Sequence, residues 1–183
     1  MIDNAIMFAT LAHNGQKRKG SHIPYIMHPI EAGVIASEMV ISRGAFDENI
    51  VCAAILHDTY EDAKVKYETL ETMFNKEVAD LVESQSEDKS KSWKERKQHT
   101  IEYLLQEKNE DIKIVSLSDK LANIRSIKKD YDELGEELWQ RFNEKMKSEH
   151  KWYYSSLVEC FKELQGFQAY KEYKELVAKV FGE

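Results

Sequence analysis

Proline and glycine are scarce in this 183-residue sequence, with two of the first and seven of the second. With so few helix breakers, and apolar residues recurring mostly at three- and four-residue spacing, a β-rich chain is excluded and an all-α fold is expected. Cysteine is nearly absent as well. Cys52 and Cys160 are too few for a disulfide framework, and Cys52 lies in an apolar run, so both are expected as buried reduced thiols of a cytoplasmic protein. No stretch of about 18 apolar residues occurs, and Met1-Ile2-Asp3-Asn4 lacks the regions of a secretory signal, so no membrane partner is expected.

An excess of positive charge is also missing. The formal charge of −7 argues against a general nucleic-acid partner. The basic residues gather in two places: Lys17-Arg18-Lys19, and Lys89, Lys91, Lys94, Arg96 and Lys97, the second interrupted by Glu95. Two confined patches on an acidic chain suit a small anionic ligand, with solvated surface as the plain alternative. Hydrophobic residues at 42% and charged residues at 32% are ordinary for a soluble globular protein. The absence of repeats, linkers and low-complexity tracts predicts a single domain over residues 1–183.

Apolar spacing predicts an amphipathic helix over residues 2–13, with Ile6, Phe8, Ala9 and Leu11 inward, stopped by Asn14-Gly15. A basic connection containing Pro24 leads to a helix starting at His28-Pro29 and ending near Val40. A third helix is expected over 48–60, and shorter ones over 67–74 and 76–84. Residues 84–92 are polar throughout and read as a mobile loop. Helices follow over 93–107 and 111–129. Helical spacing over 133–164 would give a straight rod of about 45 Å, so a bend or split is expected there. A last helix follows Gly166.

The stretch His57-Asp58-Thr59-Tyr60-Glu61-Asp62 packs one imidazole and three carboxylates into six residues, behind the apolar run Ile50-Val51-Cys52-Ala53-Ala54-Ile55-Leu56. On a continuous helix, His57 stacks with Glu61, and Asp58 with Asp62. Three anionic groups at a helix C-terminus face its negative dipole end and repel one another. A divalent metal held by His57 and Asp58 would offset that cost and leave Glu61 and Asp62 for proton transfer. Further ligands are sought in His28, at the start of the preceding helix, and Asp119, at the edge of the stripe Ile114, Leu117, Leu121 and Ile124. Asp119 so near a buried face needs a partner; a salt bridge to Arg125 or a lysine serves as well as a metal.

The segments around these residues resemble the hydrolase domain of the RelA/SpoT alarmone family, within the HD phosphohydrolases. They are Ala12-His13-Asn14-Gly15-Gln16-Lys17-Arg18-Lys19-Gly20, Pro24-Tyr25-Ile26-Met27-His28-Pro29, the run from Ala53 to Asp62, and Leu117-Ser118-Asp119-Lys120-Leu121-Ala122-Asn123-Ile124-Arg125. The resemblance covers about residues 5–130 and is nearest to the small stand-alone hydrolases. It implies an all-helical HD bundle and one Mn²⁺ held by His28, His57, Asp58 and Asp119. It also implies that Glu61 and Asp62 position and activate water. Arg18 and Lys19 would hold base and phosphates, Asn123 a sugar or base, and Lys89 a phosphate. The implied reaction removes the 3′-pyrophosphate from ppGpp or pppGpp. Departures at 19–24 and 84–89 touch substrate contacts and spare the metal ligands. Rival readings are an adenosine alarmone, NADPH or another nucleotide as substrate, and a binding module without turnover. The residues do not specify an oligomeric state. His13 is assigned a dipole or cap role, while His22, His99 and His150 are read outside the site.

Overall fold

Residues 50–56 organise the molecule. In a computed structural model, which describes residues 1–182, they form most of α3 (Glu48–Leu56), and all seven are buried. The Asp47 side chain starts this helix by accepting a hydrogen bond from the Asn49 amide at 2.9 Å. A helix apolar all round must be enclosed. α1 (Ile2–Ala12), α2 (Met27–Ser42), α6 (Lys76–Glu83) and α8 (Glu110–Leu134) surround it. α4 (Thr59–Asp62) and α5 (Tyr67–Met73) lead from α3 to α6, and α5 packs on α6. α7 (Trp93–Gln106) pairs with α9 (Lys147–Cys160), and α10 (Gln168–Phe181) lies against α8 and α9. The fold is all-α. Among the described residues, the only strand-like pairing is an isolated bridge between Lys17 and Pro24, which closes the basic loop after α1. No described helix is long and apolar enough to cross a membrane.

Two packing features set where the functional side chains meet. Arg125 on α8 bonds Glu172 on α10 through two nitrogens, at 2.6 and 2.7 Å, and reaches Glu31 on α2 at 3.1 Å. Its charge is therefore spent on the helix assembly, not on Asp119. The second feature is Gly33, where α2 crosses α3. A Cβ at this position would sit 2.5 Å from Ile55 Cγ1. Gly33 follows His28 by just over one turn, and Ile55 precedes His57 by two residues, so this close approach sets how near the two imidazoles come. Gly33→Ala is expected to lower stability by about 1–2 kcal/mol, overpacking outweighing the gain in helix propensity. Calorimetry should then show a melting temperature lower by about 2–8 °C; an unchanged value would mean that Ile55 moves aside freely.

Three local expectations are corrected. Leu11 is not inward: it is 75% exposed, while Ala5 and Ala9 are the fully buried residues of α1. Small side chains allow α1 to lie close to α3, which turns the larger Leu11 outward. The third helix stops at Leu56 rather than at residue 60. His57 Nδ1 lies 2.8 Å from the Ala54 carbonyl, and Thr59 Oγ1 donates to the Leu56 carbonyl at 2.7 Å, so side chains serve carbonyls that the next helical turn would have used. The loop over 84–92 is polar but anchored, as Glu87 is largely buried among donors from α7. The expected split of 133–164 is present, as a 3₁₀ segment Gly135–Arg141 followed by α9.

Candidate metal centre and active site

α2 begins at Met27 and delivers His28 into the interior, where it is 4% exposed. The end of α3 delivers His57, 3% exposed, and the middle of α8 delivers Asp119, 7% exposed. One donor atom from each of the three lies within 4.8 Å of the others. His28 Nε2 is 3.1 Å from Asp119 Oδ1, and His57 Nε2 is 3.5 Å from the same oxygen. Asp58 joins through Oδ2, 2.9 Å from His57 Nε2 and 3.6 Å from His28 Nε2. Donors sharing one ion at about 2.1 Å stand about 3.0–3.4 Å apart, and these separations of 2.9–3.6 Å bracket that range. His57 Nε2 is buried without a hydrogen-bond partner, although a carboxylate oxygen lies beside it. A cation between the two atoms resolves that conflict. Two nitrogens and two oxygens suit a borderline or hard divalent metal.

The electrostatics agree. Burial penalises ionisation of Asp119, yet Lys120 and His57 hold its carboxyl well below the usual range. Burial likewise opposes ionisation of Asp58, and His57 more than compensates. Burial also disfavours the charged form of His57, but Asp58 and Asp119 push its pKa well above the ordinary imidazole value. The two carboxylates thus call for positive charge, which a metal can supply while the imidazole releases its proton and donates a lone pair. Burial dominates at His28, whose pKa is lowered.

A second ring of residues fixes these donors. His57 Nδ1 is engaged with the Ala54 carbonyl, which aims Nε2 at the cluster. Asn123 Nδ2 donates to Asp119 Oδ1 at 2.6 Å, and Lys120 Nζ pairs with Asp119 Oδ2. The expected alternatives for Asp119, metal or lysine, are therefore compatible: one oxygen faces each. Tyr25 OH donates to Asp58 Oδ2 at 2.6 Å. Burial and that carboxylate raise the Tyr25 pKa far above the phenol range, so the hydroxyl remains a donor. The sequence assigned Tyr25 no role, although it stands in the segment Pro24–Pro29, three residues before His28. Tyr25→Phe is expected to weaken metal binding about tenfold or more while the fold survives, as losses in such supporting shells do. A metal titration by calorimetry checks this, and an unchanged Kd would reduce the hydroxyl to a space filler.

Glu61 and Asp62 lie beyond the break at residues 57–58, on α4. They do not join the donor cluster. Glu61 accepts a hydrogen bond from the Glu87 amide at 2.9 Å, and Lys89 Nζ lies 3.1 Å from its other oxygen. Lys89 also donates to Asp62 Oδ1. The side chain expected to face a phosphate is thus held by the acidic pair. Arg18 Nη2 donates to Asn123 Oδ1 at 3.1 Å, and its guanidinium carbon stands 5.9 Å from the Tyr25 ring centre. Asn123 consequently links Arg18 to Asp119. Lys19 is exposed. The second basic cluster is largely paired within the protein: Lys94 with Glu149, and Arg96 and Lys97 with Glu87. His13 is the C-cap residue of α1, its amide donating to the Ala9 carbonyl at 2.9 Å, and its buried ring lies beside Tyr25 with Nδ1 2.9 Å from Gln16 Oε1. His150 packs among Trp93, Trp139 and Phe142, away from the cluster.

Comparison with known proteins identifies the family. Residues 5–146 match the family model described as HD domain. The guanosine-3′,5′-bis(diphosphate) 3′-pyrophosphohydrolase MESH1 of Xenopus tropicalis is 35% identical over 130 residues, 70% of each protein. The crystal structure of lmo0812 from Listeria monocytogenes superposes with a TM-score of 0.74 at 32% identity, covering 85% of this chain and 99% of that one. A metazoan SpoT ortholog, described as hydrolysing ppGpp, gives the same TM-score at 24% identity, over 97% of this chain and 94% of its own, and supports the fold. With the match spanning most of its length, this chain belongs to the HD-domain family, in the group that includes the guanosine-3′,5′-bis(diphosphate) 3′-pyrophosphohydrolases.

Proposed function

We propose that this protein hydrolyses the 3′-pyrophosphate of guanosine alarmones, converting ppGpp or pppGpp to GDP or GTP plus pyrophosphate. The observation that carries the reading is the convergence of two imidazoles and two carboxylates beside a separate acidic pair, in a chain related to named pyrophosphohydrolases. His28, His57, Asp58 and Asp119 would hold one divalent ion, which we take to be Mn²⁺. When bound, that ion supplies Lewis acidity toward water and a phosphoryl oxygen.

The remaining steps belong to side chains. Glu61 and Asp62, which share Lys89 as a partner, orient the attacking water and accept its proton. Water oxygen bonds to the phosphorus attached to the ribose 3′-oxygen, the bond from that phosphorus to the 3′-oxygen breaks, and the 3′-oxygen receives the proton that the acidic pair took from water. Arg18 offers a planar cation to the nucleotide, suited to stacking on a base and to phosphate contact. Lys19 adds charge, and Asn123, between Arg18 and Asp119, is placed to contact the sugar or base. Lys89 exchanges its carboxylate partners for a substrate phosphate, which releases Glu61 and Asp62 for proton transfer.

Product release tests the assignment, as pyrophosphate from the two alarmones and as orthophosphate from NADPH. Chelator-treated protein is reloaded with Mn²⁺ and offered ppGpp, its adenosine counterpart and NADPH. Turnover of ppGpp restored by the ion, with the highest kcat/KM of the three, is the expected result. Preference for either competitor would overturn the guanosine reading. Binding of ppGpp without release of product would overturn the enzyme reading.

A further inference from the structure

Glu87 belongs to the loop between α6 and α7, whose composition suggests solvated surface. Its side chain is nevertheless only 11% exposed. Three α7 side chains converge on it: Arg96 Nη1 at 2.8 Å, Lys97 Nζ at 2.7 Å and Thr100 Oγ1 at 3.1 Å. Residues 96, 97 and 100 share one side of a helix, so they form a fixed receptacle for a single carboxylate. Ser92 and Glu95 fix the start of α7 through a reciprocal capping box. The receptacle therefore rests on a rigid element.

The other end of the same residue points toward the chemistry. The Glu87 amide donates to Glu61 Oε2 at 2.9 Å. Glu61's other oxygen has Lys89 as its partner, and that lysine side chain is 52% exposed and shared with Asp62. Of the two donors, the backbone amide is the one that cannot swing away when substrate arrives. The amide's position is in turn set by where α7 clamps the Glu87 carboxylate.

We infer that Glu87 is a positioning residue for Glu61, transmitting the fixed location of the Arg96–Lys97–Thr100 receptacle through its own backbone amide. The inference rests on Glu61 acting in acid–base catalysis as proposed above. A misplacement of about 1 Å at a reacting group can cost about 100-fold in rate, so this link is large enough to measure.

The test uses full-length, metal-loaded protein and ppGpp. Glu87→Ala is expected to lower kcat about 10- to 100-fold, with KM within about threefold of the parent and metal content unchanged. Glu87→Asp, which keeps the charge for Arg96 and Lys97, should recover most of that loss; Glu87→Gln should not. The decisive measurement is a double-mutant cycle with Glu61→Gln. If Glu87 acts through Glu61, Glu61→Gln/Glu87→Ala turns over at the rate of Glu61→Gln alone. Additive losses would overturn the inference while leaving the role of Glu61 intact. Full activity of Glu61→Gln by itself would overturn that role, and this inference with it. If Glu87→Ala does not fold, Arg96→Met and Lys97→Met repeat the cycle from the receptacle side, with the same two outcomes.

Discussion

His57→Ala is expected to lose bound divalent metal and turnover together. Metal analysis should fall from about one ion per chain to none, and pyrophosphate release from ppGpp to background. This histidine is the most informative donor to remove. Its Nε2 has contacts with both Asp58 and Asp119, and after its removal Asp58 keeps the Tyr25 hydroxyl while Asp119 keeps Asn123 and Lys120. Asp119→Ala is less clean, because it would strand Lys120, which has 17% of its side chain exposed; breaking a buried pair in that way costs about 3–5 kcal/mol. Stability gives an independent readout. Metal at 100 times its Kd contributes about 2.7 kcal/mol to the folded state. For a chain of this size that is a rise of about 5–11 °C in melting temperature. The parent protein should show this rise on adding Mn²⁺, and His57→Ala should not. A variant that keeps full metal occupancy would place the ion elsewhere and remove the basis of the proposed chemistry.

Helical spacing made most of the fold legible. α5, α6 and α7 fall within a residue or so of their expected bounds; α6 and α7 combine a periodic apolar face with a polar start signal, Asn75 and Ser92. The end of α3 was not legible. A continuous helix through residue 60 satisfies the apolar pattern, and only the bonds from Thr59 and His57 to backbone carbonyls terminate it. That break divides the acidic motif, sending His57 and Asp58 to the donor cluster and Glu61 and Asp62 to the loop after α6. The clustering of His28 with Asp119 is a tertiary fact that spacing could suggest only through unusual buried polar groups. Tyr25 and Glu87 lacked even that signal. One looks like an ordinary aromatic at a helix start, and the other like one more charge in a polar loop. What reveals them is the hydrogen bond each makes across the fold.

Glu61→Gln separates metal binding from proton transfer, and the expected result is full metal occupancy with kcat lowered by about 10²–10⁴-fold. That loss corresponds to about 3–5 kcal/mol of transition-state stabilisation. Glutamine retains the size of the side chain and one carbonyl oxygen able to accept from the Glu87 amide, so the loop keeps its attachment. It cannot accept a proton from water as a carboxylate does. Asp62→Asn should lower kcat as well, but by less. Asp62 is the more exposed of the pair, its side chain 34% accessible against 19% for Glu61, and exposure leaves its proton exchange open to solvent. Both variants also weaken the hold on Lys89, so KM for the anionic substrate should stay level or fall rather than rise. The division of labour between the pair and the donor cluster stands on that combination of lost rate and retained metal. Loss of the ion from Glu61→Gln would instead make Glu61 a ligand, and the acid–base assignment would pass to Asp62 alone.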